Sequence, residues 1–315
     1  MNNKNLSKNI LDQIEAIEQQ SNKKINISND FQEFEFITLD QAIHQTTDSE
    51  INITVKNEKY FEFVLSHELH HIMLEISDEP SVSNAVTSGN QGLDGRILST
   101  ANSIFESLEH VQVIQDQLED GTLTDEIKDL YLQGIEKALH PNVDLDENNL
   151  HFYQILIMLD GMIFSQHSRD EQWKQDMPEV YGIVAEMLKE IESSDLSKPT
   201  EFRRTLINTL DMYDNYITNA GYEGMNYHDF LNITPIVSER QLRLNLNQNY
   251  QIKHSVFKNR ATGKDGFVLI GTKDEQSVAT LNIDPKLVKP EFYQVYYSRT
   301  VKDVFEGNGI DYLIR

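Results

Sequence analysis

One stretch constrains this chain more than any other. VLSHELHHIML, residues 64–74, sets three histidines and a glutamate in five consecutive positions of an otherwise apolar run. Helical periodicity accounts for the run: at about 100° per residue, Phe61, Leu65, Leu69, Ile72 and Ile76 fall on one narrow face. His67 and His71 lie nearly opposite that face, so the helix packs by its apolar spine and turns the pair away from that core. Residues four apart share a helix face, and both imidazoles can therefore aim at one point. Glu68 stands about 100° around the helix, beside that point rather than on it.

The chain has no cysteine. Structural disulfides, thiolate metal sites and cysteine nucleophiles are excluded together, and any metal site must be built from histidine and carboxylate. Two imidazoles on one rigid helix suit zinc, which bonds histidine nitrogen at about 2.0–2.1 Å. Glu68, next to such an ion, is placed to accept a proton from a water as a general base. Solvated surface histidines or a packed histidine cluster are the plain alternatives, and the glutamate between the pair and the spine opposite it argue against them.

At 315 residues the chain is long enough for one large domain or two smaller ones. A first amphipathic helix is expected over 8–19, from Ile10, Leu11, Ile14 and Ile17. FEFITL (34–39) and INITV (51–55) read as strands, and the histidine helix follows over 59–76. SDEPSVSN and TSGNQG read as an irregular crossing segment. A second long helix spans Asp94 to Leu118, and Thr124 to Asn219 is mostly helical, broken near HPNVD and SKPTEF. After NITP (232–235), KHSVFKNRATGKDGFVLIG and SVATLNID alternate like strands, and FYQVYY is a further strand candidate. The expected class is α+β, with a main domain over 1–230, a helical middle, and a small β-rich or α+β unit over 231–315.

The amino-terminal MNNKNLSKNILDQIEAIEQQ lacks the apolar segment of a signal peptide, and no run approaches the roughly 18 apolar residues of a membrane span. A cytoplasmic protein is expected. The formal net charge of −24 argues against nucleic acid or an anionic membrane as partner, since both call for clustered Lys and Arg. Oligomeric state is not legible.

Two strand-like runs, HELHH on a helix and an acidic helix downstream together resemble the zincin superfamily of zinc metallopeptidases over residues 34–120. The extended metzincin pattern would place glycine at 74 and histidine at 77; Leu74 and Ser77 stand there. The resemblance is therefore to the gluzincin-like branch, in which a glutamate on a later helix is the third ligand. It implies a zincin-like core of a short sheet, the HExxH helix and a third-ligand helix. It further implies a zinc cofactor, a peptide or protein substrate, and peptide-bond hydrolysis with Glu68 as catalytic base.

The later helix, LDGRILSTANSIFESLEHVQVIQDQL, offers Glu106, Glu109 and His110. Taking Ile97 as zero, Ala101, Ile104, Phe105 and Leu108 form an apolar face centred about 30° round. Glu109 lies at its edge near about 120°, Glu106 at about 180° and His110 at about 220°. A ligand on a core-packed helix belongs at the border, which favours His67, His71 and Glu109 as the metal set. Gluzincins often carry a further polar residue four positions after the ligand, so Glu106 with His110 is the competing register.

Among the other polar residues, His70 is expected to support the cleft rather than bind metal. Glu75, four after His71, is placed to hydrogen-bond a ligand imidazole. Tyr227 and His228 are of the type that stabilises an oxyanion, though a surface loop accounts for them as well. Two other functions stay open beside the peptidase. One is a zincin-like binding or regulatory module with a structural metal, against which Glu68 speaks. The other is a zinc hydrolase of a non-peptide substrate.

Overall fold

The computed structural model describes residues 6–77, 79–141, 147–283, 286 and 289–315. Residues 1–5, Asp78 in SDEPSVSN, residues 142–144 of HPNVD and Asp284 at the end of SVATLNID lie outside the described residues. The chain divides into two compact units, Met1–Glu79 with Glu106–Lys189 and Pro80–Phe105 with Glu190–Arg315. Along the chain run α1 (Lys8–Ser21), β1 (Lys24–Asn29), β2 (Ala42–Thr46), β3 (Glu50–Val55), α2 (Phe61–Ile76), β4 (Val82–Ser83) and β5 (Val86–Thr87). Next come α3 (Gln91–Asp120), α4 (Asp125–Leu139), α5 (Glu147–Ser165), α6 (Asp170–Asp176), α7 (Pro178–Glu192), α8 (Pro199–Asn219) and α9 (Tyr227–Phe230). The chain ends with β6 (Asn232–Ile233), β7 (Ile236–Val237), α10 (Glu239–Leu242), β8 (Tyr250–Asn259), β9 (Asp265–Gly271), β10 (Ser277–Leu281), α11 (Pro290–Ser298), α12 (Val301–Asn308) and β11 (Leu313–Ile314). The fold is mixed α+β, with a helical middle and a β-rich C-terminal part.

In the first unit the sheet order is β1-β3-β2, β3 running parallel to β1 and antiparallel to β2. Alternation in β3 turns Ile51, Ile53 and Val55 to one face, and all three are fully buried. Helix α1 packs on α2, and its Ile10, Ile14 and Ile17 are its buried residues. Leu65, Leu69 and Ile72 form the buried spine of α2, which packs against β2 and β3. Each such side chain taken out of water contributes roughly 1.5–3 kcal/mol. The opposite side of α2 is buried as well: His67 is only 2 % exposed. The histidines do turn away from the spine, into a second layer of protein rather than into solvent.

FEFITL is not a strand. The segment folds back irregularly into a short 3-10 turn, Leu39–Gln41. Buried Gln41 ties it down, donating to the Phe36 carbonyl at 2.7 Å and accepting from Asn57 Nδ2 at 2.6 Å. The strands flanking β3 are instead Lys24–Asn29 and Ala42–Thr46. Helices α4 and α5 pack together, and Gly161 permits their close approach, since a Cβ there would sit 2.8 Å from Ile135 Cγ2 and 3.0 Å from Trp173.

In the second unit β10, β9, β8 and β5 form a four-stranded antiparallel sheet. Tyr250, Ile252, Phe267, Leu269 and Leu281 build its core with Val301, Val304 and Phe305 of α12. FYQVYY lies in a helix, not a strand: α11 begins at Pro290, and Phe292, Tyr293, Tyr296 and Tyr297 recur at helical spacing against that core. The unit is larger than 231–315. Val86 pairs with Asn259 in the four-stranded sheet and Val82 with Ile233 in a separate two-stranded one, so the segment after α2 groups with the C-terminal part. Among the described residues no helix is long and apolar enough to cross a membrane.

Candidate metal centre

Helices α2 and α3 bring three imidazoles together. Nε2 of His67 and Nε2 of His71 stand 3.1 Å apart. His110, from α3, joins them so that one ring nitrogen of each of the three lies within 4.8 Å of the others. Ring centroids are 4.7 Å apart for His67–His71, 5.0 Å for His67–His110 and 5.2 Å for His71–His110.

Each ring is anchored by its other nitrogen. His67 Nδ1 faces Gln117 Oε1 at 3.1 Å, while Gln117 Nε2 donates to the Phe63 carbonyl at 3.0 Å. With its amide nitrogen so engaged, Gln117 presents oxygen to the imidazole, and Nδ1 of His67 is the donor. His71 Nδ1 stands 3.1 Å from Glu109 Oε2. His110 Nδ1 donates to Asp160 Oδ1 at 2.5 Å, and Tyr131 donates its hydroxyl to the other oxygen of Asp160. In His67 and His71, which burial holds neutral, hydrogen on Nδ1 leaves Nε2 as a lone pair, the arrangement that prepares imidazole for a metal.

The electrostatics agree. Burial, then the neighbouring His71 and His110, hold His67 well below the ordinary imidazole range. Burial and His110 lower His71 to about 3. Two neutral rings thus point lone pairs at each other across 3.1 Å with no proton to share. A cation satisfies that geometry: tetrahedral bonds of about 2.0–2.1 Å hold two nitrogens roughly 3.3 Å apart. Burial would lower His110, but the charge and hydrogen bond of Asp160 outweigh it and raise the ring.

The grouping differs from the expected one at a single position. Glu109 lies at the back of His71, and His110 stands with the pair instead. Burial and nearby acids raise Glu109, and it shares a hydrogen bond with Glu79, itself raised by burial and by Glu109. Burial raises the Glu106 carboxyl above the ordinary carboxylate range against the lowering by His110 and His71, which puts it at the same cluster. Glu68 is buried beside the imidazoles, its Oε1 2.7 Å from His44 Nδ1. Glu75 bonds His44 Nε2 at 3.1 Å rather than a ligand imidazole. His70 turns to Asp120 at 3.2 Å and to Gln13 at 3.2 Å, in a separate polar network. Tyr227 and His228 belong to the second unit, where both bond Asp211.

His44, Gln117, Tyr131 and Asp160 were not foreseen. Asp160 left a usable signal, as a lone carboxylate inside the apolar run ILIMLDGMIF. Gln117 lies seven residues after His110, two turns along the same face of α3. No protein family, curated protein or solved structure matches the chain.

Proposed function

We propose that this centre holds a zinc ion on Nε2 of His67, His71 and His110 and hydrolyses peptide bonds with Glu68 as general base. One observation carries the reading: three imidazoles, each anchored through Nδ1 to a different acceptor, converge their remaining nitrogens within 4.8 Å. Bound there, zinc would supply Lewis acidity toward a carbonyl and lower the pKa of a water. The chain supplies the rest. Three imidazole ligands add no negative charge to offset the ion. Gln117, Glu109 and Asp160 hold the rings in register. Glu68 takes a proton from the attacking water and returns it to the leaving amine. The resemblance of HELHH to the zincins supports zinc and Glu68 in these roles.

Strand β2 supports a peptide as substrate. It is an edge strand, paired on one side with β3, and its His44 contacts Glu68. Extended chains bind readily to such an edge through backbone hydrogen bonds. The test is cleavage of a peptide library by zinc-loaded wild type and by Glu68→Gln. The wild type should cleave, and the variant should keep its zinc and lose about 10²- to 10⁴-fold in rate. A wild type inactive on every peptide, or an active Glu68→Gln, would contradict the proposal.

A further inference from the structure

We infer that His44 is a positioning residue for Glu68, the centre of a Glu75–His44–Glu68 chain that sets which carboxylate oxygen of the base is free to act. The inference rests on Glu68 being the base of the proposed reaction. Glu68 and Glu75 lie seven residues apart on α2, two turns along one face. His44 reaches across from β2, where it pairs with Ile53 of β3, and spans both carboxylates. Its Nδ1 is 2.7 Å from Glu68 Oε1 and its Nε2 is 3.1 Å from Glu75 Oε2. Both ring nitrogens face carboxylates, so both donate, and the ring is held as an imidazolium in charge-assisted hydrogen bonds.

Glu68 has no other side-chain hydrogen bond among the described residues, and the His44 contact therefore fixes its orientation. Oε1 is occupied and Oε2 remains for the attacking water. Without His44 the carboxylate can rotate about its terminal torsions, and only part of the population presents an oxygen correctly. A strap that merely fastened β2 to α2 would also use this bridge. The two roles differ in what a variant does to chemistry with folding and zinc binding intact.

The experiment compares zinc-loaded wild type with His44→Leu, His44→Asn and Glu68→Gln. Kinetics on a cleaved peptide are one readout, and calorimetric affinity for acetohydroxamate is the other. This small zinc chelator donates a hydrogen bond to a neighbouring carboxylate, so its affinity reports the position of Glu68 without any turnover. In His44→Leu, kcat should fall about 10- to 100-fold, as for loss of an outer-shell partner, with KM and zinc affinity near wild type. Acetohydroxamate affinity should fall by about tenfold or more, the worth of one hydrogen bond to a charged group. Asparagine places an amide N–H close to the position of Nδ1, and His44→Asn should recover most of both losses.

A His44→Leu protein equal to wild type in both readouts would overturn the inference and leave a strap. Equal damage in His44→Leu and His44→Asn, with raised KM, would do the same. Zinc uptake with the expected acetohydroxamate pattern but no hydrolysis would sustain His44 and overturn the peptidase reading. A chain that takes up no zinc would end both.

Discussion

Nε2 of His67 faces Nε2 of His71 at 3.1 Å, while the Nδ1 atoms of the two rings turn outward onto Gln117 and Glu109. The outward bonds settle where the hydrogens are, and the inward contact is then two lone pairs. Protonation is an unfavourable way to relieve it, since burial and like charge hold both rings below the ordinary imidazole range. A metal ion relieves it directly.

Asp160 anchors His110 from behind, with Tyr131 on its second oxygen. Asp160→Asn keeps the shape but weakens that hold and removes the carboxylate charge. Zinc affinity should fall about 10- to 100-fold, measured by competition with a chelating dye. Tyr131→Phe should cost less, because Asp160 still reaches His110. Wild-type affinity in Asp160→Asn would mean that the anchor is unimportant.

Glu109 separates the two ligand registers. It stands 3.1 Å from Nδ1 of His71, and glutamine can still accept there through its amide oxygen. Glu109→Gln should therefore cost no more than about tenfold in zinc affinity, the low end of outer-shell changes. Loss of zinc by this variant would restore Glu109 as the ligand itself.

The buried rings also set an acid limit in the metal-free protein. His71 titrates near 3 when folded and near the ordinary 6.5 when unfolded, so the unfolded chain binds more protons between those values. The contribution is complete above 6.5 and is lost as pH falls toward 3. With each pKa unit worth about 1.4 kcal/mol, the decline should reach several kcal/mol. His44 acts with the opposite sign. Hydrogen bonds from Glu68 and Glu75 raise it to about 9, so its contribution is full below 6.5 and lost as pH rises through 9. Urea midpoints should fall on both flanks, with His71→Leu flattening the acid side and His44→Leu the alkaline side. A wild-type midpoint unchanged between pH 6.5 and 4.5 would contradict neutral buried imidazoles.

Much of this was legible in the chain, and the failures have physical causes. The spine of α2, the pairing of His67 with His71, and the strand at INITV follow from periodicity alone. The third member of the cluster does not, because α3 changes its buried face midway. Asp94, Ile97, Ala101 and Ile104 bury one side of its first half, which belongs to the second unit. His110, Val113, Ile114 and Gln117 bury the other side of its second half, roughly 180° round. A face computed from Ile97 to Leu108 therefore placed His110 on the solvent side. His44 was invisible for another reason: its partners lie on α2, beyond a strand pairing that no local pattern announces. FYQVYY misled through its aromatic content, which suits a strand, while its spacing and the preceding Pro290 suit a helix.

The most direct test is a zinc titration of the metal-stripped chain beside its His67→Ala, His71→Ala and His110→Ala variants, with circular dichroism to check that each is folded. The account predicts close to one tightly bound zinc per wild-type chain and its loss in all three folded variants alike. Full zinc affinity in His110→Ala, together with its loss in Glu109→Ala or Glu106→Ala, would contradict the three-histidine centre.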